Sequence, residues 1–279
     1  MMRRYGMSQR FRLCSALCVP GLGGAIFLIL GGAPLTFAAT NLVALALALG
    51  TILSGGVRCG PKAGRVVGAA LVALLALPLL TGPDVDGVAR WLPLGPLALH
   101  SGMVAVPLLV VCAAADADVR WGAAMLAAAM ICAAFQPDAA TALALAFTAA
   151  TLAVLSRSPA MTMTAVLGII AVALALRGDG PPPQPFVEDV LPQLWAIQPI
   201  AAILLGATLA WSAFILLTLE APSRLPALAS TAALAGFVAM SFLGAYPTPL
   251  IGYGAAPFIG FGLAFAGLTR FATRDAAGG

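Results

Sequence analysis

The side chains able to take part in chemistry are few. Outside the apolar segments, on one side of them, stand the carboxylates Asp84, Asp86, Asp138, Asp179, Glu188 and Asp189, the cations Arg90 and Arg177, and the single histidine, His100. A carboxylate beside an attacking hydroxyl acts as a general base, and an arginine pairs a phosphate through two parallel hydrogen bonds. The set therefore offers a general base and a phosphate contact, and little else. Cysteines at 14, 18, 59, 112 and 132 show no metal-ligand spacing and read as buried thiols.

The elements that must position these residues are membrane spans. Of 279 residues, 62% are hydrophobic and 9% charged, and mean hydropathy is +1.04. Such a composition excludes a secreted, nucleic-acid-binding or cytosolic enzyme domain. Apolar runs broken by Pro, Gly or charge predict an all-α bundle of about ten spans, near 13–33, 35–53, 66–82, 99–115, 119–135, 139–156, 160–176, 197–218, 226–246 and 249–268. With the N-terminus inside, twelve of the 14 Lys and Arg fall in inner segments: Arg3, Arg4, Arg10, Arg12, Arg58, Lys62, Arg65, Arg120, Arg157, Arg224, Arg270 and Arg274. Only Arg90 and Arg177 fall outside, so both termini are expected in the cytoplasm.

The chain then reads as one transmembrane domain over 1–279, with a cytoplasmic tail at 1–12, a short external loop at 177–195 and a second cytoplasmic tail at 269–279. The first span, preceded by basic residues, is read as retained rather than cleaved as a signal peptide. Several spans are built on Ala and Gly, as in GAAMLAAAMICAAF at 122–135, which favours close helix packing over strong insertion. The two notable external loops are 81–102 and 177–195.

Three blocks carry a resemblance: GVARWLPLG at 87–95, QPDAATALAL at 136–145 and PTPLIGYGAAPF at 247–258. In order and spacing they resemble motifs of the SEDS family, the shape, elongation, division and sporulation proteins that include FtsW, RodA and SpoVE. The first matches through Gly87, Arg90, Trp91, Leu94 and Gly95, and the second through Gln136, Pro137, Asp138, Thr141 and Ala142. The third matches through Pro247, Pro249, Ile251, Tyr253 and Gly254. The resemblance covers about residues 83 to 268.

It implies a ten-span protein of the bacterial cytoplasmic membrane acting in peptidoglycan biogenesis during cell division or elongation. Implied partners are the bilayer, a polyprenyl-diphosphate-linked sugar and a class B penicillin-binding protein, with no nucleic acid. No cofactor is expected, save a divalent cation if the protein is a glycosyltransferase.

The chain also departs from the family pattern. An acidic and a lysine position following the first block are here Met103 and Val106, so both partners of an intramembrane ion pair are replaced together. The external loop at 177–195 is short and has no counterpart to the segment bearing the family's catalytic Asp. Asp189 and Glu188 are the remaining catalytic candidates, and glycosyltransferase activity is left open. Rival readings are a non-catalytic scaffold and a transporter or flippase for the lipid-linked precursor.

Each candidate also has a plainer reading. Arg90 and Trp91, expected to bind substrate together with Asp138, also suit an interfacial anchor. Asp138 suits a helix N-cap, and Glu188 with Asp189 suits the start of a short interfacial helix after the stiff PPPQPF run. His100 is expected to be a wetted hydrogen-bonding residue at a span end. Tyr253 and Gly254 are expected to let the last span approach its neighbours, and Asp116, Asp118 and Arg120 to form a solvated turn.

Overall fold

A computed structural model describes residues 2–55, 61–95, 97–177, 182–220 and 224–271. Arg58, Cys59, Asp179 and Arg274 lie outside the described residues, as does most of the 269–279 tail. The elements run α1 (Met2–Leu30), α2 (Leu35–Ser54), α3 (Pro61–Ala76), α4 (Pro78–Thr81), β1 (Trp91–Leu94), β2 (Leu97–His100), α5 (Ser101–Ala115), α6 (Val119–Phe135) and α7 (Ala139–Ser156). They continue with α8 (Pro159–Ala175), α9 (Val190–Ile197), α10 (Pro199–Leu217), α11 (Arg224–Leu243) and α12 (Ala256–Phe271). Among the described residues, six helices are long and apolar enough to cross a membrane, and four shorter apolar helices accompany them. These ten match the ten expected spans, in a polytopic all-α membrane fold.

Helix ends follow local chemistry. Pro78 has no N–H to continue the ladder of α3, and the segment breaks there into α4. Pro159 and Pro199 occupy first-turn positions of α8 and α10, where the missing donor costs nothing. Gly55 ends α2 at φ +72, donating its N–H to the Ile52 carbonyl.

The described residues form two compact units. The first comprises those within 1–56, 182–224 and 241–279. Here α1 packs on α2 and α10, and α12 on α2. The close approaches use glycine: a Cβ on Gly24 would fall 2.5 Å from the Ile251 carbonyl oxygen, and one on Gly262 2.6 Å from the Ala48 methyl. Residues 2–12, expected as a tail, continue α1 as helix. From it Arg10 donates to the Leu53 carbonyl at 2.9 Å and Arg12 to the Thr218 carbonyl at 3.2 Å, placing cations at the C-terminal ends of α2 and α10.

The second unit comprises the described residues of 57–181 and 225–240. Its centre is α7, whose Ala139, Ala140, Ala142, Ala144, Leu145 and Ala149 are fully enclosed. Alanine and glycine let neighbours come to backbone contact: a Cβ on Gly168 would meet Ala146, and one on Gly236 would meet the Ala144 backbone. Thr148 donates to the Ala144 carbonyl of its own helix at 2.9 Å and lies 3.3 Å from the Ala229 carbonyl of α11.

The expected solvated turn at 116–120 is a structured joint. Arg65 of α3 pairs both oxygens of Asp116, at 2.8 and 2.9 Å, and Asp118 caps α6 by accepting from the Arg120 N–H at 3.0 Å. The hydrogen bonds from Arg65, aided by the Asp118 N–H, hold the Asp116 carboxyl below the usual carboxylate range. A folded-state pKa below the unfolded one means stability that is complete at neutral pH and lost as pH falls below about 4. Thermal unfolding in detergent between pH 7 and pH 3 should show a loss in the wild type that is smaller in Asp116→Asn.

Candidate functional site

The two groups of candidate residues lie in different units. In the second unit the site is built from a hairpin and two helix caps. A turn comes first: Gly87, at φ +77, donates its N–H to Asp84 Oδ1 at 2.8 Å, and Val85 pairs with Val88. The chain then forms β1, turns at Gly95 with φ +58, and returns as β2, pairing Trp91 with His100 and Leu94 with Leu97. Both family-motif glycines thus stand where a left-handed backbone is required. The hairpin was not expected from the sequence.

Beneath the hairpin, Arg90 is 2% exposed, with its guanidinium 4.8 Å from the centre of the half-buried Trp91 ring. Its carbonyl accepts from the Ser101 N–H at 2.9 Å, joining the hairpin to α5. His100 is buried and serves as the N-cap of α5, its Nδ1 accepting from the Met103 N–H at 3.3 Å. That acceptor role places the proton of a neutral imidazole on Nε2, which lies 3.4 Å from Asp138 Oδ2. The expectation of a wetted histidine is therefore corrected: packing of the hairpin over α5 encloses it.

Asp138 is fully buried and caps α7, its Oδ1 accepting from the Thr141 N–H at 3.1 Å. Gln136 is likewise enclosed, and its amide donates to the Leu75 carbonyl of α3. Thr141 Oγ1 sits directly where a Cβ on residue 102 would be, so Gly102 is required for α5 and α7 to meet. Arg90 and Asp138, expected as substrate contacts, are thus turned inward to the cluster, whereas Trp91 remains half-exposed. Buried at 2% exposure, Arg90 does not reach out to headgroups, and its charge acts on the Asp138 carboxylate. Met103 and Val106 are packed in the same region, 1% and 0% exposed, as fully apolar residues.

The first unit holds the other candidates. Glu188 is buried and accepts from the Gln184 N–H at 2.6 Å, while its backbone bridges Pro247. Thr248 donates its N–H to the Val187 carbonyl at 3.1 Å and Tyr253 to the Phe186 carbonyl at 2.7 Å. The 184–188 segment is thereby laid against the third motif, with Pro249 buried beneath. Tyr253 stacks on Phe37 with ring centres 3.7 Å apart. The predicted last span is corrected here: 249–255 is a turn, and α12 begins only at Ala256. Gly254, at φ +150, takes a backbone geometry that favours glycine.

Asp189 stands at the head of α9 in the left-handed region, φ +54, and makes no side-chain cap hydrogen bond there. Partial burial pushes its carboxyl up from the usual value. Among the described external carboxylates, Asp84, Asp138 and Glu188 each accept a backbone N–H, whereas Asp189 caps nothing and Asp86 is exposed. Among the described residues no group of three or more His, Cys, Asp and Glu gathers as a metal site. Cys14 is buried and Cys18, Cys112 and Cys132 are half-buried.

Asn41 was missed by the sequence reading. It is 1% exposed in the middle of α2, donating to the Gly252 carbonyl at 2.9 Å and accepting from the Gly254 N–H at 3.0 Å. A lone amide inside an apolar span is itself a signal, because a polar side chain there must find partners. Asn41→Ala should lower stability by about 1–3 kcal/mol, the cost of leaving buried backbone groups unpaired, read from unfolding in detergent and from faster exchange of the Gly254 amide.

With this geometry in hand, the fold can be compared with solved structures. The chain is similar to the rod shape-determining protein RodA of Thermus thermophilus, with 22% identity, a TM-score of 0.62 and coverage of 95% of both chains. An aspartate-to-alanine mutant of that protein matches at the same identity and TM-score, covering 96% of its chain. A chain from a structure described as the structural coordination of polymerization and crosslinking by a peptidoglycan synthase complex matches at 17% identity and a TM-score of 0.57, over 96% of this chain and 98% of that one. No family model and no curated protein matches. The fold is SEDS-like over nearly the whole chain.

Proposed function

We propose that this protein works in bacterial cell-envelope biogenesis, in the cytoplasmic membrane with both termini inside, as a SEDS-like protein that binds a lipid-linked glycan precursor and a class B penicillin-binding protein. The observation that carries the reading is a fold similar to RodA along 95% of the chain. Within it, the three motif blocks occupy structural positions: the hairpin turns, the cap of α7 and the turn before α12.

The reading favours binding over polymerisation. Asp138 and Glu188 are engaged in backbone hydrogen bonds, and Arg90 lies under the hairpin. That leaves Asp189 as the candidate general base, with the exposed Arg177, at the far end of its loop, as the one described cation there to meet a departing diphosphate. Tagged full-length protein, purified from membranes with a co-expressed class B penicillin-binding protein, is expected to retain that partner through gel filtration. Failure to retain any such partner, together with no retention of the precursor, would overturn the reading.

A further inference from the structure

The first unit contains a cavity of about 780 Å³ between α1, α9 and α10 that the motif residues do not account for. Its walls are overwhelmingly apolar, including Phe27, Phe186, Leu204 and Leu205, and none of the described lining residues is charged. Phe186 is fixed there by its carbonyl, which accepts from Tyr253, and by its ring, 6.0 Å from that of Phe27. Both α1 and α10 are long and apolar enough to cross a membrane. The mouth of the cavity is continuous with the surface that would face lipid: among its lining residues Leu30 is 81% exposed and Ile197 76%.

Polar groups are confined mainly to one end. Gln193 on α9 and Gln198 at the junction of α9 and α10 supply amides, which both donate and accept. Asp189 opens the same helix one residue before the lining Val190. An apolar trough ending in amides beside a carboxylate has the polarity of an amphiphile with one tail and one head. A phosphate head would find no described lining cation and a carboxylate one helical turn from Gln193, whose N–H donates to the Asp189 carbonyl, whereas hydroxyl groups can exchange hydrogen bonds with both amides.

We propose that this cavity binds one membrane amphiphile, its hydrocarbon tail between α1 and α10 and an uncharged, hydroxyl-bearing head, such as a sugar, against Gln193 and Gln198. This occupant differs in head charge from the diphosphate-linked precursor, so the site stands or falls separately from the reading above.

The test uses the full chain in nanodiscs with an alkyl glucoside carrying a photoactivatable diazirine in its tail, followed by peptide mapping. Labelling is expected to concentrate on residues 26–31 and 201–208, relative to the lipid-facing residues of α8, and to be lost when unlabelled glucoside competes. Ala201→Trp, which fills the trough, should abolish the enrichment while labelling of α8 persists; Leu204→Trp serves if that variant does not fold. Even labelling of all lipid-facing helices, enrichment unaffected by competition or by both tryptophans, or equal enrichment with a diazirine-tailed phosphatidylglycerol would overturn the proposal. Loss of glucoside labelling with precursor binding intact would reject this site alone.

Discussion

Replacing Gly236 by leucine should destabilise the protein by about 3 kcal/mol or more, at the upper end of overpacking costs. A Cβ at this position would fall 2.5 Å from Ala144 Cα, 2.7 Å from its nitrogen and 2.8 Å from the Leu143 carbonyl oxygen. All three are backbone atoms, so no rotamer change relieves the clash and α11 must move off α7. The helix it would leave is the enclosed centre of its unit, and the Thr148 contact with Ala229 would be lost with it. Gly206 provides the control, because a Cβ there meets nothing within 4 Å. Gly206→Ala should be neutral or stabilising by up to about 1 kcal/mol, the helix-propensity difference. Unfolding curves in detergent and the yield of monodisperse protein would read both.

Asp138→Ala should cost a comparable amount, about 3–5 kcal/mol, because it removes one member of a buried group of charges. The carboxylate caps α7, lies 3.4 Å from His100 Nε2 and is acted on by the charge of Arg90. Asp138→Asn separates the two contributions. Asparagine is as good an N-cap as aspartate, so that variant should keep the α7 terminus and lose only the electrostatic part. A smaller loss for Asn than for Ala is therefore expected. Equal and negligible effects would mean that the cluster is held by packing alone.

The spans were legible because long apolar runs bounded by Pro, Gly and charge admit few other readings in a chain this hydrophobic. The same logic failed at 249–255, read as the start of the last span, and the reading of 81–102 as a loop left the hairpin at 91–100 unseen. Apolar residues mixed with Pro and Gly at 249–255 look like a span end, yet they form a turn whose hydrogen bonds go to partners distant in sequence, Phe186 and Asn41. Side-chain direction was equally hidden. Arg90, His100 and Glu188 read as surface groups because each follows or precedes a span, but the hairpin and the motif turn fold over them. The capping role of Asp138 was legible, since Pro and Asp before an alanine-rich run describe a helix start. The ion pair of Arg65 with Asp116 was not, since the two are 51 residues apart.

As proposed, the protein holds a lipid-linked glycan precursor without polymerising it. The most direct test incubates the purified full chain and a class B penicillin-binding protein with labelled polyprenyl-diphosphate-linked precursor, reading retained precursor and glycan product together, for wild type and Asp189→Ala. The account predicts precursor retained by both forms and no glycan from either. Glycan made by the wild type and abolished in Asp189→Ala would contradict it, and would make Asp189 the general base of a polymerase with a shortened loop.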